Sequence, residues 1–340
     1  PSIAPDKSLS ERKRTRMERN KEFLRLIHTP TQTSEPIARA LKEHNLTIPG
    51  ISLYEENYTE DEIIDRKTGL QKRIRPYDVV HGKLTNGLKS IDPAIGKLEN
   101  LGELETLPDE LANLKSLTDV EVYNCPKMTQ FPMVLAKLPE MISLNISNNS
   151  QWSAEEVYKG LNAIANGPAK EKLQILYVRD NNLREVPESF RNLKKIGLLD
   201  LAQNQIGTIH PFGKEVAPAQ LYLDNNKLTS LPADGNGLFC TMDDVETFSA
   251  TYNKFTKFPN IFSAKSKFTI KSVDFSYNEI DGFEGEEDGT FKGLNIEQLS
   301  LAANKFTKFP KCLGTTGSLV AYIILRGNMI DEIPEGSFSG

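Results

Sequence analysis

Cysteine, histidine and tryptophan are scarce in this chain, whose 340 residues hold three cysteines, four histidines and one tryptophan. Cys125, Cys240 and Cys312 are odd in number and far apart, which excludes a disulfide scaffold, and no CxxC pair spaces ligands for zinc. The cysteines leave the redox compartment open. None of His28, His44, His81 and His210 has a Cys, Asp or Glu at metal-ligand spacing. No G-x-S-x-G, H-E-x-x-H or phosphate-loop motif occurs, so nothing points to catalysis, a metal or a cofactor.

Excess positive charge is also missing. The net charge is −5 and the pI near 5.6, whereas a nucleic-acid binder collects phosphates with a basic field. No stretch approaches the roughly 18 apolar residues of a membrane span. The chain opens Pro1-Ser2-Ile3-Ala4-Pro5, without Met or an apolar signal core, and so reads as a processed or engineered fragment. Hydrophobic residues at 38% and charged residues at 26% match a folded globular protein, not a disordered one.

What is present is a repeat. Leu173, Leu176, Val178, Asn181 and Leu183 fit the pattern L-x-x-L-x-L-x-x-N-x-L, as do Ile196, Leu199, Leu201, Asn204 and Ile206. The core of the pattern returns around Asn226, Asn253, Asn278, Asn304 and Asn328. Two looser copies precede these, around Cys125, where Cys replaces Asn, and around Asn149. The anchors from 125 to 328 are separated by 24, 32, 23, 22, 27, 25, 26 and 24 residues. Several copies end on an apolar residue and proline, as in Val186-Pro187, Leu231-Pro232, Phe258-Pro259, Phe309-Pro310 and Ile333-Pro334.

The residue choices have a physical logic. Alternation of apolar and variable positions predicts a short strand with one buried face. The Asn stands where the strand turns away, so its amide can satisfy backbone groups that the turn leaves unpaired. Proline fixes φ and lacks an N–H, which suits an irregular outer side. No single repeat buries its apolar face alone, so neighbours must stack.

Outside the repeat, residues 1–76 are expected to form a helical segment that caps the solenoid, with 77–340 forming about ten repeats. Leu9 to Ile27 reads as a helix, with Met17, Leu24 and Ile27 on one side and a mostly solvated basic face. A second short helix is expected after Ser34, and a degenerate first repeat from Val79, with Asn86 as its anchor. Ser153-Ala-Glu-Glu156 is a capping box that predicts an inserted helix near 153–165. Asp281 to Gly293 is a Gly-rich acidic insertion without EF-hand spacing, expected as a solvated loop. No capping element follows Ile333-Pro334, so either more chain or a bare final turn is expected there.

The variable strand positions face the concave side and should line up in rows, strands being about 4.8 Å apart. One row reads Glu121, Asn145, Tyr177, Asp200, Tyr222, Ser249, Asp274, Ser300, Ile324. The next reads Tyr123, Ser147, Arg179, Ala202, Asp224, Thr251, Ser276, Ala302, Arg326, and one position further on stand Tyr252 and Tyr277. Tyr and Arg are frequent interface anchors. The partner-binding candidates are therefore Tyr177, Arg179, Asp200, Tyr222 and Asp224 in the middle, with Tyr252, Asp274, Tyr277, Tyr322 and Arg326 beyond. Tyrosine also packs well on a pleated surface without any partner.

The copies from Val120 to Ile333 resemble the leucine-rich-repeat superfamily. The segment Gly87-Leu88-Lys89-Ser90-Ile91-Asp92-Pro93-Ala94-Ile95-Gly96-Lys97-Leu98 is similar to the first repeat of secreted Bacteroides-type members. The resemblance implies an α/β fold: a solenoid with a curved parallel sheet on the concave face and an irregular or helical convex side. It also implies a non-catalytic binding module at the bacterial cell surface, its export segment absent from this chain. A protein is the expected partner. The alternatives are a glycan bound by the same rows, or a recognition domain for a larger effector enzyme whose catalytic part lies elsewhere.

Overall fold

The structure, a computed structural model, describes residues 106–338 apart from 108, 114–118, 214, 217, 233–244, 262–269, 285–290, 292–294 and 315–318. The expected helices near 9–27 and after Ser34, the degenerate repeat from Val79, the 76/77 boundary and most of the acidic insertion lie outside these residues. The chain forms two compact units, Pro1–Leu117 with Glu121–Thr129, and Thr118–Val120 with Gln130–Gly340. In the first, Leu111, Val122, Cys125 and Met128 are buried among the described residues. Burial pushes the Cys125 thiol up to about 12, so it stays protonated and inert.

The strands are β1 (Asp119–Glu121), β2 (Ser143–Asn145), β3 (Ile175–Tyr177), β4 (Leu198–Asp200), β5 (Gln220–Tyr222) and β6 (Thr247–Ser249), then β7 (Lys257–Phe258), β8 (Ile270–Asp274), β9 (Gly282–Phe283), β10 (Asn295–Ser300) and β11 (Leu319–Ile324). Nine of them form one sheet in the order β1-β2-β3-β4-β5-β6-β8-β10-β11. From β2 onward every pairing is parallel and steps one repeat at a time. Parallel neighbours need a crossover on one face, and each repeat's irregular return supplies it. Leu144, Leu176, Leu199, Leu221, Phe248, Val273, Leu299 and Ile323 fall in one register column. The column is inside: from Leu144 to Leu299 no member is more than 1% exposed.

One repeat shows how the sequence closes a turn. Leu173, Leu176, Val178 and Leu183 are buried from the strand side, and Val186, Phe190 and Leu193 from the return. Each such side chain contributes about 1.5–3 kcal/mol on leaving water, and none could do so without the repeats on either side. Pro132, Pro187 and Pro310 each precede a 3₁₀ turn, over Met133–Lys137, Glu188–Asn192 and Lys311–Leu313. At Val186-Pro187 and Phe309-Pro310 the apolar-proline ending is thus the entry to a short helical return, whereas Phe258-Pro259 closes β7. β7 and β9 form a small second sheet on that side.

The interior carries a rail of asparagines. The Asn204 amide donates to Val178 O at 2.8 Å and Leu201 O at 2.9 Å, and its Oδ1 accepts from Asn181 N and Leu183 N, each at 3.0 Å. Asn226, Asn253, Asn278, Asn304 and Asn328 repeat the arrangement, each amide reaching a carbonyl of the preceding repeat. Each Oδ1 accepts one N–H of that preceding repeat, on Ile206, Leu228, Phe255, Ile280 and Phe306 in turn.

The expected inserted helix is α1, Ala154–Asn166. Ser153 Oγ accepts from Glu156 N at 3.2 Å while the Glu156 carboxylate accepts the Ser153 N–H, closing the capping box read in the sequence. Val157, Leu161 and Ile164 point inward, as their helical spacing requires. Gly160 is inward too, and a Cβ there would lie 2.2 Å from the Phe131 ring, which packs edge-on to buried Trp152 at 5.1 Å.

Two substitutions test this packing. Asn204→Ala strands several buried backbone groups at once and is expected to lower the unfolding free energy by about 3 kcal/mol in urea titration. The exposed neighbour change Gln205→Ala should leave it within about 0.5 kcal/mol. Gly160→Ala raises intrinsic helix propensity by about 1 kcal/mol, yet is expected to destabilise by roughly 1–3 kcal/mol because Phe131 is locked under Trp152. An unchanged or higher midpoint for Gly160→Ala would show that the ring yields freely.

Candidate functional site

Register places the candidate rows. Asn145, Tyr177, Asp200, Tyr222, Ser249, Asp274, Ser300 and Ile324 are consecutive cross-strand partners on the open face of the sheet. The following row continues the ladder: Asp180 N donates to Ala202 O, Gln203 N to Asp224 O, Asn225 N to Thr251 O, Tyr252 N to Ser276 O and Tyr277 N to Ala302 O. The structure therefore gathers Tyr177, Arg179, Asp200, Tyr222 and Asp224 on β3, β4, β5 and the residues just after them.

Within this cluster the acidic groups are engaged. Asp200 is 7% exposed, its Oδ1 accepting from Ala202 N at 3.0 Å and its Oδ2 from Arg179 Nε at 3.2 Å. Burial raises its pKa, against the downward pull of the Ala202 N–H and the Arg179 charge. Asp224 Oδ1 accepts from Thr251 N at 2.8 Å, from Thr251 Oγ1 at 2.7 Å and from Ser249 Oγ, tying adjacent repeats together. Asn145 and Asp274 accept the N–H two residues on, as Asp200 does, from Ser147 at 3.0 Å and Ser276 at 2.9 Å. Polar residues in this row thus also close the strand end, a role their spacing alone does not reveal.

Tyr177 and Tyr222 flank Asp200, both half-buried. Burial first, then the Asp200 carboxylate, holds the Tyr222 hydroxyl above its ordinary pKa, so it remains a neutral donor and acceptor. Its hydroxyl donates to Gln220 Oε1 at 3.3 Å. The Arg179 side chain is 40% exposed and lies across Asp200. The central patch thus offers two aromatic edges and a guanidinium around a buried carboxylate.

The remaining candidates do not join it. Tyr252 and Tyr277 are 54% and 44% exposed and stack on each other at 4.4 Å with an interplanar angle of 4°. Tyr322 pairs with Gln298, in the column of Ser272, and is 61% exposed. Arg326 is exposed beyond the end of β11. Among the described residues no group of three or more His, Cys, Asp and Glu side chains could hold a metal, and His210 lies 3.5 Å from Glu185 on the surface.

A regularity in the backbone escaped the sequence reading. Asn124, Asn148, Asp180, Gln203, Asn225, Tyr252, Tyr277, Ala303 and Gly327 all have positive φ, between 51° and 73°, and each immediately precedes an anchor. Asn, Asp and Gly tolerate this left-handed conformation best, and their frequency there was a visible signal. Gln203, Tyr252, Tyr277 and Ala303 at such a position were the exceptions that hid it.

Comparison with known proteins agrees with this architecture. A family model described as Leucine Rich Repeat matches residues 172–193. A leucine-rich repeat protein of Bacteroides eggerthii is 42% identical and superposes with a TM-score of 0.60, covering 67% of this chain and 38% of that one. One from Bacteroides thetaiotaomicron is 30% identical with a TM-score of 0.61, covering 99% of this chain and 42% of that one. Human lumican is 28% identical over 221 residues, 58% of this chain and 62% of lumican. The chain thus spans less than two thirds of the length of each. With the matched repeat, the parallel ladder and the asparagine rail in agreement, the chain belongs to the leucine-rich-repeat superfamily.

Proposed function

We propose that this chain is a non-catalytic binding module that holds a protein partner on the open face of its sheet, centred on Tyr177, Arg179 and Tyr222. Its fold is one commonly used for protein interaction. The observation that carries the reading is the central patch itself. Tyr177 and Tyr222 stand either side of Asp200 on three successive strands, with the Arg179 guanidinium laid across that carboxylate. Core packing does not demand two aromatic side chains and an arginine on the solvent side, since the apolar column behind them is already closed. Asp200 and Asp224 orient the patch, while Tyr177, Tyr222 and Arg179 present large, partly rigid area and directional hydrogen bonding.

The Bacteroides relatives and the secreted-type resemblance of the first repeat support an extracytoplasmic, cell-surface setting as part of the same proposal. Among the described residues no helix is long and apolar enough to cross a membrane.

The double variant Tyr177→Ala/Tyr222→Ala is expected to weaken capture of the native cell-envelope partner at least tenfold in a binding titration. Its melting temperature should move by less than about 2 °C, because both side chains are on the solvated face. Equal affinity of the double variant and the parent chain would remove the central patch as the docking surface.

A further inference from the structure

The stacked tyrosines form a second feature, distinct from the central patch, at the end of the strands where each repeat turns inward. Their rings are parallel and belong to successive repeats, so their normals run along the stacking direction of the solenoid. One face of Tyr277 is covered by Tyr252. Its opposite face looks toward the following repeats, where the same column holds only Ala303 and then Gly327. A Cβ on Gly327 would meet the Ala303 backbone at 3.4 Å, so this floor is low and closely packed. The tyrosine column therefore stops, and the next two positions of the column, about two strand spacings or roughly 10 Å, hold only small side chains beside Tyr277, which is 44% exposed.

The flanks are charged. Lys305 follows the next anchor, Arg326 stands in the adjoining open-face row, and Lys254 follows the anchor beside Tyr252. All three are exposed and none forms an ion pair with a described residue. Lys305 and Arg326 are the two cations on the repeats that follow Tyr277, while the Tyr277 repeat itself carries two carboxylates, Glu279 and Asp274, the latter already accepting the Ser276 N–H at 2.9 Å.

Folding alone does not favour this arrangement. Tyr252 and Tyr277 have φ of 53° and 58°, where a bulky side chain costs about 1 kcal/mol that Asn, used at Asn225 in the same column, largely avoids. A stacked aromatic pair returns about 0.5–1.5 kcal/mol beyond its area burial, against a cost borne at two positions.

We propose that the free face of Tyr277, with Lys305 and Arg326, binds an anionic saccharide. A sugar ring lays its C–H face on the tyrosine above Ala303, and its carboxylate or sulfate group meets the ammonium or guanidinium. The chemistry favours a saccharide over an aromatic anchor from a protein. Such an anchor gains affinity by burial in an enclosed apolar pocket, whereas the small residues beside Tyr277 are flanked by charged Lys305 and Arg326. A sugar keeps its hydroxyls in water while stacking one face.

Calorimetric titration tests this with four probes: tetragalacturonate, sialyllactose, a sulfated disaccharide and neutral maltotetraose. At least one anionic probe is expected to bind below millimolar Kd, ten times or more tighter than maltotetraose. That affinity should fall at least tenfold in Tyr277→Asn and in the Lys305→Gln/Arg326→Gln pair. Asn suits the left-handed backbone, so Tyr277→Asn should melt at the parent temperature or above, which separates lost binding from lost folding. Tyr177→Ala/Tyr222→Ala should bind the anionic probe unchanged, keeping this site distinct from the central patch. Binding of no anionic probe, equal binding of maltotetraose, or an acetyl-Asp-Tyr-Asp-amide peptide outcompeting all of them would each overturn the proposal.

Discussion

Everything in the solenoid depends on how an irregular turn is kept inside the protein. After each short strand of the main sheet the backbone swings inward, and its N–H and C=O groups lose ladder partners where water cannot replace them. From Asn181 onward one primary amide per repeat answers this. Its NH₂ reaches carbonyls of its own repeat and of the preceding one, and its oxygen takes an N–H of the preceding one, as Asn204 and Asn278 show. Because these bonds cross repeats, a single residue type fixes both the local turn and the stacking. The buried apolar column then aligns in register.

This constraint explains which features were legible in the sequence. A buried donor and acceptor of fixed geometry forces Asn to recur, so the anchors, the parallel sheet and the buried face could be read from spacing. The inserted helix was equally legible, since Ser153 and Glu156 form a local device that needs nothing distant. The rows of the open face also followed, because parallel register carries each strand position onto the same position of the next repeat.

What was not legible depends on contacts about 25 residues apart or on backbone angles. That Asp224 bonds Ser249 and Thr251, leaving less of it for a partner, requires knowing which way a side chain turns within its row. The candidates read as a middle cluster and a second one at the end of the sheet, yet Asp200 and Asp274 also cap strand ends and the tyrosines at 252 and 277 pair off in a stack of their own. The left-handed residue before every anchor is likewise a consequence of the inward turn, and Gln203, Ala303 and the two tyrosines depart from the Asn, Asp and Gly which that turn prefers, the tyrosines with the largest side chains. Departures of this kind from local preference are where function is to be sought.

The rail itself can be measured directly by hydrogen exchange. The backbone N–H groups of Leu183, Ile206, Leu228, Phe255, Ile280 and Phe306, which lie outside the strands, donate to the side-chain oxygen of the next anchor. The account predicts that they exchange as slowly as the central strand amides and open together with them. Exchange of these six at the rate of exposed turn amides, while the strands remain protected, would contradict it.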